Sequence, residues 1–271
     1  MRTLMIIMAL LISKLTLAQV PELDDITADD LKKVSTEFAA NFAHTTVSAP
    51  HTKGFFGFEV GVIGGLSNTP KLQNLVDDSG GTGSDFKNMP HAGLIGRVHI
   101  PFQLFLELSV LPEFSVSDVT VSNKTIGIGW NLGRFVGWPF DLSFAVEGSR
   151  SNISYEQVIN NASTSNANVD ADISFESTTK TYWVGASKRF LFVTPYVKAG
   201  GASMESDVDI DASVGTIFNS SFSSSQKASS KNSGGYFAMG ANLHLLFMNL
   251  GFEASRIMNV GRATAKLSFE F

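Results

Sequence analysis

The residues with most chemical promise are two runs of alternating carboxylates. Asp170-Ala-Asp172 and Asp207-Val-Asp209-Ile-Asp211 carry an acid at every second position, so an extended chain would put each set on one face of a strand. A hairpin turning at Phe190-Leu191 sets Asp172 opposite Asp209, Asp170 opposite Asp211, and Glu176 opposite Glu205. Opposed like charges destabilise a sheet. A divalent cation, Ca2+ or Mg2+, would offset that, because carboxylate oxygens are hard ligands. The spacing is not that of an EF-hand, since the twelfth residue from Asp207 is Phe218 and not Glu. The plainer alternative is a solvated acidic hairpin with another register.

Catalytic constellations are harder to find. The five histidines are His44, His51, His91, His99 and His244, and none has Asp or Glu two residues before it, which removes the Asp-x-His pairing used by outer-membrane proteases of the omptin type. His91 and His99 fall at opposite ends of one alternating segment. The mature chain has no G-x-S-x-G, H-E-x-x-H, P-loop or G-x-G-x-x-G. With no cysteine, a thiolate nucleophile, a Cys-ligated metal, a disulfide framework and lipoprotein acylation are all excluded. These residues do not predict an enzyme.

The elements that would position such groups are strands. Of 271 residues, 44% are hydrophobic and 17% charged, with 24 Gly and 22 Phe. That excludes a disordered chain, and the 20 basic and 25 acidic residues, spread along the length, leave no nucleic-acid footprint. Polarity alternates with period two. At the end of the chain Arg262, Thr264, Lys266, Ser268 and Glu270 interleave with Ala263, Ala265, Leu267, Phe269 and Phe271, and nine earlier segments beginning near residue 56 repeat the pattern, predicting ten strands.

Short gaps near 100–103, 134–140, 189–192 and 246–249 alternate with longer polar ones near 67–90, 157–171 and 207–232 and shorter ones near 115–120 and 257–261. Both ends of the strand series fall on the short-turn side. An even strand count with short turns at one end and long loops at the other predicts an all-β transmembrane antiparallel barrel. A soluble barrel would keep its apolar face inside. Here the other face is Gly, Ser, Thr and charge, too small and polar to fill a core. Phe102, Phe135, Trp138, Phe140, Phe190, Phe192, Phe247, Phe269 and Phe271 gather at the short-turn end as an interfacial girdle would.

Arg2, the apolar run Leu4–Ile12 and Thr16-Leu17-Ala18 have the layout of a secretory signal over residues 1–18. No later segment has 18 uninterrupted apolar residues. The terminal strand Ala263–Phe271, ending in Leu267, Phe269 and Phe271, resembles the strand by which bacterial outer-membrane β-barrels are recognised for assembly. The resemblance covers residues 53–271 by pattern and identifies no subfamily. It implies a diderm bacterium, location in the outer membrane among its lipid and lipopolysaccharide, and insertion by the barrel-assembly machinery.

Within such a barrel the lumen set is Glu59, Arg97, Glu107, Glu147, Lys198, Glu253, Arg262, Lys266 and Glu270. Five acids against four bases are nearly neutral, whereas a selective channel would show a ring of one sign. Unpaired, each would be costly, so mutual contacts are expected. Residues 19–52 precede the strands. Leu31, Val34, Phe38 and Phe42 recur at helical steps, and Thr27 with Asp30 suits a helix start. This predicts a short periplasmic helix that either plugs the lumen or rests on its rim. The function expected is a non-enzymatic outer-membrane protein, structural or passing small or hydrophobic solutes. The rival is a surface interaction protein acting through the long loops, which lack the aromatic-plus-Arg clusters that anchor interfaces. No solute, partner or oligomeric state is legible.

Overall fold

The computed structural model describes residues 28–49, 56–78, 87–116, 119–132, 139–160, 168–212, 216–217, 220–221 and 226–271. The signal sequence, Thr27, and the girdle residues Phe135 and Trp138 lie outside them.

Among the described residues ten strands close a barrel. They are β1 (Gly57–Asn68), β2 (Asn88–Ile100), β3 (Leu104–Val116), β4 (Val119–Asn131), β5 (Asp141–Asn160), β6 (Asn168–Ser187), β7 (Val193–Ala212), β8 (Gln226–Leu245), β9 (Met248–Ile257) and β10 (Val260–Glu270). Each pairs antiparallel with the next, and β10 returns to β1 with Val62 opposite Leu267 and Ser67 opposite Arg262. Two reciprocal backbone hydrogen bonds between Phe58 and Phe271 finish the seam at the short-turn end. A closed sheet leaves no backbone edge, which is the condition for crossing lipid with strands.

The ends of the barrel differ for local reasons. The hairpin β9–β10 turns on Met258 and Asn259, both at positive φ, the pair of left-handed residues that a two-residue turn needs to match strand twist. The short turn between β8 and β9 is Leu246-Phe247, between paired Leu245 and Met248. At the other end, β5 to β8 each run 20 residues, against 10 to 13 for the remaining strands. One side of the barrel is therefore a tall wall that rises beyond the apolar band. Much of 157–171 and 207–232, expected as loop, is strand. The acidic runs at 170–172 and 207–211 keep their alternation, with Phe175, Met204 and Val208 buried on the inner face. By contrast, 226–235 is polar or small at almost every position, so the period-two signal fades there while the pairing continues. The gap 67–90 likewise holds a helix, Pro70–Asp78, lettered α2 here.

The patterning is inverted relative to a soluble protein. Phe58, Val60, Leu108, Ile126, Ile128, Val146, Val184, Val197, Met239 and Phe252 are exposed on the outside, while the inward set is charged and buried. Phe102, Phe140, Phe190, Phe192, Phe247, Phe269 and Phe271 ring the short-turn end, all exposed. An apolar exterior around a charged interior, girdled by aromatics, belongs to a barrel in the outer membrane of a diderm bacterium.

The interior holds the N-terminal segment. Helix α1 (Ala28–Phe42) packs inside the tall wall: Phe38 meets Phe175 at 5.4 Å between ring centroids, and Ala39 and Ala40 are fully buried in a cluster with Ala202, Met204, Ala238, Ile257, Met258 and Val260. Residues 43–49 then descend the lumen, every one buried, towards the start of β1. This corrects the expected periplasmic placement of the helix. Its stripe shows that one face is buried but not at which mouth. The mouth follows from the length of chain that must thread the lumen to reach β1.

Candidate functional site

The site is the lumen and the segment that fills it. Of the nine predicted lumen residues, Glu59, Arg97, Glu107, Glu147, Lys198, Glu253, Arg262 and Lys266 are buried, and Glu270 is half-buried near the short-turn mouth. The eight buried ones are four carboxylates and four cations. Register brings the first group together, since Glu59 faces Arg97 and Arg97 faces Glu107 on adjacent strands. Arg97 Nε donates to Glu107 at 2.7 Å, and Arg97 lies 3.2 Å from Glu59. Lys266 donates to Glu59 at 2.5 Å. On the opposite side Lys198 donates to Glu253 at 2.9 Å, and Tyr196 donates to the same oxygen at 3.0 Å. The Lys198 ammonium also stands over the rings of Trp183 and Tyr196, at 4.8 and 4.7 Å.

This network grips the plug. The carbonyl of Thr46 accepts from Lys198, that of Ala43 from Arg262 at 2.9 Å, and that of Phe42 from Asn123 at 2.9 Å. Lys266 donates to the Ser48 hydroxyl, and the Ala49 amide donates to Asn242. One oxygen of Glu147 accepts three donors: the Thr46 hydroxyl at 2.7 Å, the Thr46 amide at 3.2 Å and the Trp183 indole at 2.9 Å. Backbone groups without a regular ladder must find partners when buried, and lumen side chains supply them along 42–49. Gly251 leaves the room for this, since a Cβ there would sit 3.0 Å from the Val47 carbonyl oxygen.

Higher up, Asn41 accepts from Ser67 at 2.5 Å and donates to the Pro90 carbonyl. Glu37 accepts the amides of Lys71 and Leu72, both at 2.8 Å, and so ties α1 to the first turn of α2. Burial raises the Glu37 carboxyl above its usual range, against the opposing pull of those two amides and of the Lys71 charge.

A hydroxyl, an imidazole and a carboxylate do converge. Thr125 Oγ1 lies 3.0 Å from His44 Nδ1, and His44 Nε2 lies 2.9 Å from Glu107 Oε1. Glu107 is also held by Arg97, and all three side chains are buried. His91 Nε2 is similarly 2.9 Å from Thr264. The plug partners His44, Thr46, Ser48 and Ala49 are sites that sequence reasoning missed. The only signal for them was the polar composition of 41–48, directly after an amphipathic helix.

The carboxylate patch needs correcting. Phe190 bridges Val193, so the turn lies one residue later than expected. Asp172 faces Asp211, Ser174 faces Asp209, and Glu176 faces Asp207; Asp170 lies beyond the last β6–β7 pair. Like charges still oppose, but in other pairs, and Glu176 takes its counter-charge from Arg150 at 3.0 Å. The side chains of Asp170, Asp172 and Asp211 lie outside the described residues. Among the described residues no group of three or more His, Asp or Glu is placed to hold a metal ion.

Fold and lumen together define an outer-membrane β-barrel whose lumen is occupied by its own N-terminal segment. Residues 77–271 match the family of unknown function DUF6588, and the chain belongs to that family. No curated protein matches it. Among solved structures it is similar to the translocator domain of the autotransporter NalP from Neisseria meningitidis, with 8% identity over 90% of this chain and 95% of that one at a TM-score of 0.44. The outer membrane protease OmpT from Escherichia coli is 10% identical over 82% of this chain and all of that one, at 0.41. The attachment invasion locus protein Ail of Yersinia pestis is 13% identical over 81% and 100%, at 0.32. At these identities and scores no activity passes from them to this chain.

Proposed function

We propose that this protein is a non-enzymatic outer-membrane barrel with a structural resting role, and that it passes small solutes only when residues 28–49 leave the lumen. The observation that carries this reading is the burial of every residue from 39 to 49 inside the barrel. Residues 42–49 are held by hydrogen bonds between lumen side chains and their backbone and hydroxyl groups and by the His44–Glu107 contact, with an apolar cluster around α1. Water can replace such polar contacts one by one, which favours a displaceable stopper over a fused core. The lumen without it is lined by four cations and four carboxylates, a balance suited to uncharged or zwitterionic solutes and not to strong ion selectivity. The set Thr125–His44–Glu107 is buried out of reach of a substrate while the segment is in place, which favours the non-enzymatic reading.

Single-channel recording in planar bilayers tests the proposal. The intact mature protein should be silent, whereas a variant lacking residues 28–49, or the intact protein in moderate urea, should show steps of conductance. Conductance of the intact protein without denaturant, equal to that of the variant, would overturn it.

A further inference from the structure

The outward faces of β4, β5, β6, β7 and β8 change from apolar to polar at one height. Ile126 gives way to Lys124, Val146 to Arg150, Tyr182 to Lys180, Ala199 to Ser203 and Phe237 to Ser233 and Lys231. Register places Lys124 beside Arg150, Arg150 beside Thr178, Thr178 beside Glu205 and Glu205 beside Lys231 in a single row across the wall. Lys180 sits one step lower, beside Ser203, with Ser233 on the far side. Between the side chains of this face lies an open cavity of about 460 Å³, lined chiefly by Thr178, Lys180, Ser203, Glu205, Lys231 and Ser233.

We propose that this cavity is a docking site for the phosphate groups of an outer-leaflet glycolipid, lipopolysaccharide in chemical class, whose acyl chains lie against Tyr182, Val184, Phe237 and Met239. Charge, donors and height agree. Two ammonium groups flank three hydroxyls, and phosphate oxygens take charge-assisted hydrogen bonds from such a set. Lys180 and Lys124 form no ion pair among the described residues. The ion pairs Lys231–Glu205 and Arg150–Glu176 are exposed, and surface pairs of this kind exchange readily for a better anion. Directly below the cations the wall is lipid-facing: Tyr182 is 63% exposed and Met239 52%. An anion held here with its tail in that band is therefore a lipid. Glu205 is the opposing charge inside the cavity and must release Lys231 for the site to fill. Of the acids one step higher, Glu176 is paired with Arg150 and Asp207 also acts on Lys231.

The test titrates detergent-purified, full-length mature protein with lipopolysaccharide, with its dephosphorylated form and with inorganic phosphate. Folding of each variant is read from the heat-dependent gel shift. The double variant Lys180→Gln/Lys231→Gln should bind lipopolysaccharide roughly tenfold more weakly, as loss of two charge-assisted contacts implies. Lys188→Gln, at the short-turn end, should leave binding unchanged. Glu205→Gln should tighten it, an opposite change that no general destabilisation would produce. Equal binding of the dephosphorylated form, or unchanged affinity in the double variant, would overturn the proposal. Competition by millimolar inorganic phosphate would overturn the lipid and leave a free-anion site.

Discussion

Two buried charges in the lumen illustrate opposite situations. Lys198 is paired with Glu253 and capped by the Thr46 carbonyl, so Lys198→Met strips Glu253 of its cation inside a low-dielectric space. Removing one member of a buried pair costs about 3–5 kcal/mol, and we expect that loss in the urea unfolding midpoint of the refolded protein. The double change Lys198→Met/Glu253→Leu should recover much of it. Glu147 has three donors on one oxygen, and its other oxygen has no hydrogen-bond partner. Glu147→Gln keeps an acceptor and discards a buried charge, so stability should stay within about 1 kcal/mol of the parent. A larger fall would show that the carboxylate's charge itself holds the plug.

Helix α1 and the two ends of the sheet act as separate devices. The helix is fixed to α2 through Glu37, and hydrogen bonds to a charged group contribute about 1.5–3 kcal/mol. Glu37→Ala should therefore loosen the start of α2, seen as faster amide hydrogen exchange at Lys71 and Leu72, with the strands unaffected. At the seam the terminal residue contributes backbone bonds to Phe58 as well as a side chain. Phe271→Ala retains the backbone bonds and should refold in detergent as the parent does. If the side chain is read by the assembly machinery, the same variant should reach the outer membrane of cells in reduced amount. Deleting Phe271 removes the backbone bonds too and should impair both.

Across the whole molecule, plug and barrel are held by different forces. The barrel is closed by a continuous ladder, the plug by scattered polar contacts and one apolar cluster around Ala39 and Ala40, so the plug should leave first. Trp183, 1% exposed and bonded to Glu147, reports the difference. In rising urea its fluorescence should shift to the red before the heat-modifiable gel band is lost, and a variant lacking residues 28–49 should show the shifted emission without urea. Coincident transitions would mean that plug and barrel form one cooperative unit, which would count against opening by displacement.

Period-two alternation determined the barrel, its ten strands, its apolar outside and the identity of the inward charges, because side-chain direction in a strand is a local property of the backbone. The aromatic girdle and the asymmetry of turns were legible for the same reason. What only the tertiary structure decided is long-range. A one-residue difference at the Phe190 turn re-paired every acid between β6 and β7, since register depends on the turn that actually forms. The upper part of β8 escaped notice because 226–235 is polar or small at almost every position, and alternation carries no signal there. The seat of α1 at the long-loop mouth was equally hidden. Its stripe specifies a buried face, while the partners Phe175, Asn123 and Arg262 come from strands brought together only when the sheet closes.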